Sequence, residues 1–177
     1  MAGRLEQARA FLEKAGALDP ADPESWQNLG AVLQSLGRPE RARLLRALAA
    51  LGDAYLCNRQ TEWAEDVLRL GIQFGQELDE SGPLFGLLGH ARLVTERYGE
   101  AIGLFRRAIA LGDDKREILP ELARCFVERG RYVAAMACLA EARAAGADEE
   151  RLRELDARVE KVLGPALTRY RSLMTAG

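Results

Sequence analysis

Apolar residues in this chain recur at three- and four-residue steps rather than in alternation, and short polar or glycine-bearing breaks separate the apolar stretches. Leu152, Leu155, Val159, Val162 and Leu163 show the step plainly, with charged residues filling the positions between them. Along the whole chain the pattern predicts helices near 4–16, 23–36, 39–58, 61–77, 82–96, 99–111, 116–129, 132–145 and 148–163. Gly164-Pro165 is expected to break or kink the last of these before a final segment to Met174, because proline removes a backbone donor and crowds the preceding turn.

The helices are not independent, because a pattern repeats along them. Leu29-Gly30 recurs as Leu51-Gly52, Leu88-Gly89 and Leu122-Ala123. An alanine follows each small residue 12 positions later, at Ala42, Ala64, Ala101 and Ala135. Four residues on stands a large apolar side chain, Leu68, Phe105 or Leu139, with Arg46 the exception. Small residues then close the pattern at Ala49, Gly71, Ala108 and Ala142, and Ala8, Leu12 and Ala15 repeat its second half near the N-terminus. Small residues at Gly30, Gly89 and Ala123, set against Ala42, Ala101 and Ala135, let two helix backbones approach, and large ones fill the space beside them. Gly37, Gly99 and Gly130 fall where the first helix of each pair should stop, and Pro39 suits a first helical turn.

This pattern, from about residue 4 to 145, resembles the tetratricopeptide repeat, a helix-turn-helix unit of about 34 residues. The resemblance implies an all-α fold: a tetratricopeptide-like α-solenoid of stacked helical hairpins with a C-terminal capping helix. Residues 1–177 are then one domain, with an N-terminal repeat-like helical pair (1–38), three hairpins (39–145) and the cap (146–177); no stretch rich in Pro, Gly or Ser divides them. The intervals between the small residues are 22, 37 and 34, so one interval is about a helix short. A single helix over about 39–58 repairs the count by closing one pair and opening the next. The segment DEERLRELDARVEKVLG suits a cap, with acids at its N-terminus and charges over its outer face.

Composition agrees with this picture and narrows the function. Ala, Leu, Arg and Glu dominate, and aromatics make up only 6% of the chain, which favours helix over sheet. A net charge of −2 gives no general pull toward nucleic acid or anionic membranes. No apolar run approaches the roughly 20 residues of a membrane span, and the first residues carry no signal-peptide apolar core. Cys57, Cys125 and Cys138 lack a metal spacing and sit in apolar helical patterns, so buried free thiols and a cytoplasmic location are expected.

Few residues of the chain stand in a pattern that carries chemistry. His90 has no second histidine to work with, and no Cys-His pairing is suggested. GIQFGQ lacks the spacing and the lysine of a phosphate loop. Asp113-Asp114 and Glu149-Glu150 stand at helix starts, where capping and the helix dipole account for them. The arginines at 106, 107, 151 and 153 form no stripe with stacking aromatics. No catalytic residue, cofactor site or metal site is expected, and the chain reads as a non-enzymatic module that binds a protein or peptide partner, with neither nucleic acid nor membrane.

In a tetratricopeptide frame the first helices of the pairs line a concave groove. The residues this frame places there are Gln27, Ala31, Gln34, Arg46, Ala49, Asp53, Leu56, Gly86, His90, Leu93, Arg124 and Val127. Their mix of small, apolar and polar types suits an extended partner segment. From about residue 40 to 174, three hairpins followed by a charged helix also look like the class II chaperones of type III secretion. The likeness is strongest from Leu122 to Leu163, where a Cys-containing helix, a glycine turn, a second helix and a heptad-like tail follow in order. That resemblance implies a hydrophobic translocator segment in the groove and, often, homodimerisation through the N-terminal region. Two features depart from it: Ala49, Asp53 and Leu56 stand where the family's groove is aromatic, and an additional helical pair precedes the hairpins. The alternative expectation is a scaffold or adaptor binding folded partners in a pilus, secretion or signalling assembly.

Overall fold

The computed structural model describes residues 38–75 and 81–175, together with Gly3, Ala10, Asn28 and Ala31, which are helical. The predicted helices 4–16 and 23–36, most of the N-terminal pair and the Gly30 and Gly37 positions lie outside the described residues. Seven helices fill the described part, with no strand: α1 Arg38–Cys57, α2 Thr61–Gly75, α3 Gly82–Val94, α4 Tyr98–Ala110, α5 Lys115–Glu128, α6 Tyr132–Ala145 and α7 Glu149–Thr175.

Helix α1 is a single 20-residue helix, as the spacing argument required. Its first half carries Ala42, the second-helix position of one repeat, and its second half carries Gly52, the first-helix position of the next. Successive helices pack as antiparallel neighbours, and helices two apart also meet: α1 with α3, α3 with α5, and α5 with α7. The chain is therefore an all-α stack of helical hairpins in which α1, α3, α5 and α7 form one row and α2, α4 and α6 the other.

The repeat signature explains the packing within each pair. Ala64, Ala101, Ala135, Leu68, Phe105, Ala108 and Ala142 are all fully buried, and Leu139 is nearly so. A Cβ on Gly52 would come within 2.6 Å of the Leu68 side chain, and one on Gly89 within 2.7 Å of the Phe105 ring. The sequence reading set Gly89 against Ala101; the nearest group is instead Phe105, one helical turn further along α4. The glycine thus makes room for a large side chain, and each such buried side chain contributes about 1.5–3 kcal/mol.

The core has two buried clusters, one between α1, α2 and α3 around Leu45, Leu48 and Leu68, the other from the end of α3 to α7 around Phe105, Leu119 and Leu139. Leu152, Leu155 and Val159 tie α7 into the second cluster, whereas Val162 is 48% exposed. Arg92 on α3, almost fully buried, pairs with Glu65 on α2 and, at 3.1 Å, with Glu100 on α4. That cation clamps three helices together, and its burial makes loss of a partner costly.

Three local expectations are corrected. Gly99 does not stop a helix: it lies in the first turn of α4, and the turn before it is made by Thr95 to Arg97, with Glu96 in the left-handed region at φ 59°. The matching position is Gly130 at φ 68° after α5 and Arg59 at φ 60° after α1, so one turn geometry serves three junctions. Gly164-Pro165 does not break α7, which runs on to Thr175. Pro165 is exposed, so water can satisfy the one carbonyl its missing donor leaves behind. Cys57, expected to be buried, is exposed at the end of α1, while Cys125 is fully buried and Cys138 half-buried in the same cluster.

Candidate groove between the first helices

Because α1, α3, α5 and α7 approach one another directly, their free faces lie closer together than those of the other row and define the inner side of the stack. Two adjoining hollows open there. The first, of about 420 Å³, is lined by Ala49, Ala50 and Asp53 from α1, Pro83, Gly86, Leu87 and His90 from α3, Phe105 from α4, Asp113, Glu117, Ile118 and Glu121 from the α4–α5 turn and α5, and Arg151 from α7. The second, of about 580 Å³, shares Asp53, Leu87 and His90 and adds Leu56, Cys57, Arg59, Thr61 and Val94.

Of the sequence-predicted residues, Ala49, Asp53, Leu56, Gly86 and His90 come together around these hollows. Leu93 and Val127 do not; they are buried in the second core cluster, where they hold α3 and α5 to their neighbours. Arg46 and Arg124 are exposed but line neither hollow, and Ala31 is an exposed helical residue. Gln27 and Gln34 lie outside the described residues. On α5 the face open to the hollow is that of Glu117, Ile118 and Glu121, about one turn before Arg124.

Sequence reasoning missed a row that its own arithmetic contained. Ala50, Leu87 and Glu121 are separated by 37 and 34 residues, the same intervals that relate Gly52, Gly89 and Ala123. All three line the first hollow. Shifting one occupied position by the repeat length would have found them.

Charge and burial give the first hollow its character. Arg151 pairs with Glu121 and reaches Glu117 Oε2 at 3.4 Å. Glu121 is only 6% exposed, and its Oε2 is buried without a hydrogen-bond partner. Asp114 caps α5, its carboxylate accepting the Arg116 backbone N–H at 2.9 Å; a side-chain bond from Arg116 and that N–H hold its carboxyl below the usual range. Asp113 is left to the hollow. Its Oδ1 accepts the Asp114 N–H at 2.9 Å, and burial raises its carboxyl above the ordinary value. Gly86 is what allows this: a Cβ there would stand 2.5 Å from Asp113 Oδ2 and 2.9 Å from Ile118 Cδ1.

The first hollow thus has an apolar floor (Ala49, Ala50, Leu87, Phe105 and Ile118) and a rim of carboxylates. Among the described residues no group of three or more His, Cys, Asp or Glu is placed to hold a metal ion, and no helix is long and apolar enough to cross a membrane.

A family model described as tetratricopeptide repeat matches residues 1–45 and 95–159, well over half of the chain. No curated protein matches it. The solved structure titled as the functional characterization of Pseudomonas aeruginosa PilF superposes with a TM-score of 0.61 at 23% identity, covering 92% of this chain and 78% of that one, a likeness of fold. A structure of MamA (AMB-1) superposes with a TM-score of 0.48 at 23% identity, covering 84% of this chain and 87% of that one.

Proposed function

The chain belongs to the tetratricopeptide repeat family, and on that premise we propose that it is a non-enzymatic interaction module that binds an extended segment of a partner protein along the inner row of helices. The observation that carries this reading is the pair of adjoining hollows shared across α1 and α3, joined through Asp53, Leu87 and His90. Two connected hollows with small and apolar floors match successive side chains of an extended peptide, and polar rims supply partners for its backbone. Aromatic residues are scarce there, so no one anchor should dominate the affinity. In this reading residues 1–177 are a single domain of stacked hairpins, and α7 is its end cap.

The narrower version, a class II type III secretion chaperone holding a hydrophobic translocator segment in the cytoplasm, rests on the sequence layout from about 40 to 174, strongest from Leu122 to Leu163. The scaffold or adaptor reading, with folded partners, differs in the form of the ligand. Selection of binders from a displayed library of unstructured peptides tests the proposal. Binders whose affinity falls on Leu87→Arg but not on Arg124→Glu, which lies outside both hollows, support it. A partner that binds only as a folded domain, with Leu87→Arg silent, would replace it with the scaffold reading.

A further inference from the structure

The charges of the first hollow identify the chemistry of that segment. Four carboxylates line it, Asp53, Asp113, Glu117 and Glu121, against a single permanent cation, Arg151. Arg151 is already committed to Glu117 and Glu121 on their near sides. Glu121 keeps one buried oxygen, Oε2, without any donor, on a side chain 8% exposed. A buried acceptor left unmade is costly, and more so when it carries charge. Asp113 also faces the hollow, with only Oδ1 occupied by the Asp114 N–H.

A donor brought by a ligand that enters beside Glu121 would satisfy this carboxylate. The four carboxylates outnumber the one arginine, and that surplus of negative charge favours a cationic donor over a neutral one. The floor beside the carboxylates is aliphatic, with Ala49, Ala50, Leu87 and Ile118. Lysine and arginine combine the two requirements: an apolar stem that covers such a floor and a charged head that carries several donors.

We propose that the first hollow receives a lysine or arginine side chain from a basic extended segment of the partner, its stem along Leu87 and Ile118 and its head group against the Glu121 and Asp113 carboxylates. The inference rests on the groove reading above. Arg151 is then the internal competitor: it neutralises the site when empty and holds Glu121 in position. Charge complementarity of this kind sets specificity against acidic partners as well as affinity for basic ones.

The test measures binding of three labelled peptides to the full chain by fluorescence anisotropy: one alternating lysine with leucine, one with glutamine in place of lysine, and one with glutamate. The basic peptide should bind most tightly, weaken as salt is raised, and lose about tenfold or more in affinity on Glu121→Gln or Asp113→Asn. Arg151→Gln should tighten it, whereas a purely structural role for Arg151 would only weaken binding. Melting curves confirm that each near-isosteric variant is folded. If the glutamine or glutamate peptide binds as well as the basic one, and Leu87→Arg still abolishes binding, the groove reading survives and the cationic inference is overturned. If no peptide binds, or Leu87→Arg has no effect, both fall. Sedimentation that shows a self-associated chain, made monomeric by Leu87→Arg, would make a second copy the occupant and also overturn the inference.

Discussion

Substituting Gly89 by alanine isolates the contact on which the hairpin packing rests. The added Cβ would lie 2.7 Å from Phe105 Cε1, 2.8 Å from Cδ1 and 3.2 Å from Cζ. Phe105 is fully buried, so its ring cannot swing away into solvent. Relief must come from parting α3 and α4 or from distorting the ring's rotamer, and overpacking of this kind costs about 1–3 kcal/mol. Alanine in a helix interior gives back about 0.5–1 kcal/mol relative to glycine. The net loss is about 0–2.5 kcal/mol, a fall in Tm of up to roughly 10 °C for a chain of this size. Gly103 on α4 supplies the control, being exposed with nothing within 4 Å of an added Cβ. Gly103→Ala should raise Tm by about 1–4 °C, so one chemical change has opposite signs at two sites. Combining Gly89→Ala with Phe105→Leu removes the clash, and the double variant should be more stable than the summed single losses by about 0.5–2 kcal/mol. Circular dichroism melts of the four variants read all of this. A rise in Tm for Gly89→Ala equal to that for Gly103→Ala would refute the account of close approach.

Glu96 and Arg59 hold left-handed backbone at φ 59° and 60°; Glu96→Gly or Arg59→Gly should each raise stability by up to about 1 kcal/mol, while Gly130→Ala lowers it by a similar amount, as melts will show. Burial raises the Asp113 carboxyl, so its charge opposes folding above the raised folded-state value, and that opposition vanishes below the ordinary one. Asp113→Asn should therefore raise Tm at about pH 7 and leave it unchanged at about pH 3. Cys57 is exposed, Cys125 is buried with its thiol pushed up to about 12, and burial also raises Cys138. A thiol-disulfide reagent should modify Cys57 promptly in the folded protein and reach Cys125 only after denaturation; prompt modification of Cys125 would contradict its burial.

Much of the hairpin stack was legible because it is written in local terms. A buried position between two close helices admits only a small side chain, so Gly52, Gly89 and Ala123 recur in phase with Leu68, Phe105 and Leu139. The short interval before Gly52 forced α1 to be one helix, and Arg38–Cys57 is one helix. Glycine was a poorer guide at the turns, since the left-handed position that Gly130 fills is held by Glu96 and Arg59 at the other junctions. Backbone hydrogen bonds closing the turn, such as Glu96 N–H to the Leu93 carbonyl at 3.0 Å, impose that conformation whatever the side chain.

The sequence by itself determined the helical class, the repeat phase and the choice of an inner row, because helix propensity and small-residue spacing act over one or two turns. Only the tertiary structure decided which residues of that row stay open. Leu93 and Val127 occupy groove positions by repeat count but are consumed in packing between pairs, while Glu121 and Arg151 meet from helices 30 residues apart. Whether a side chain faces a hollow or a neighbour depends on how adjacent hairpins are offset and where α7 lands. That offset is the summed result of many contacts between units, and no single segment of the chain encodes it.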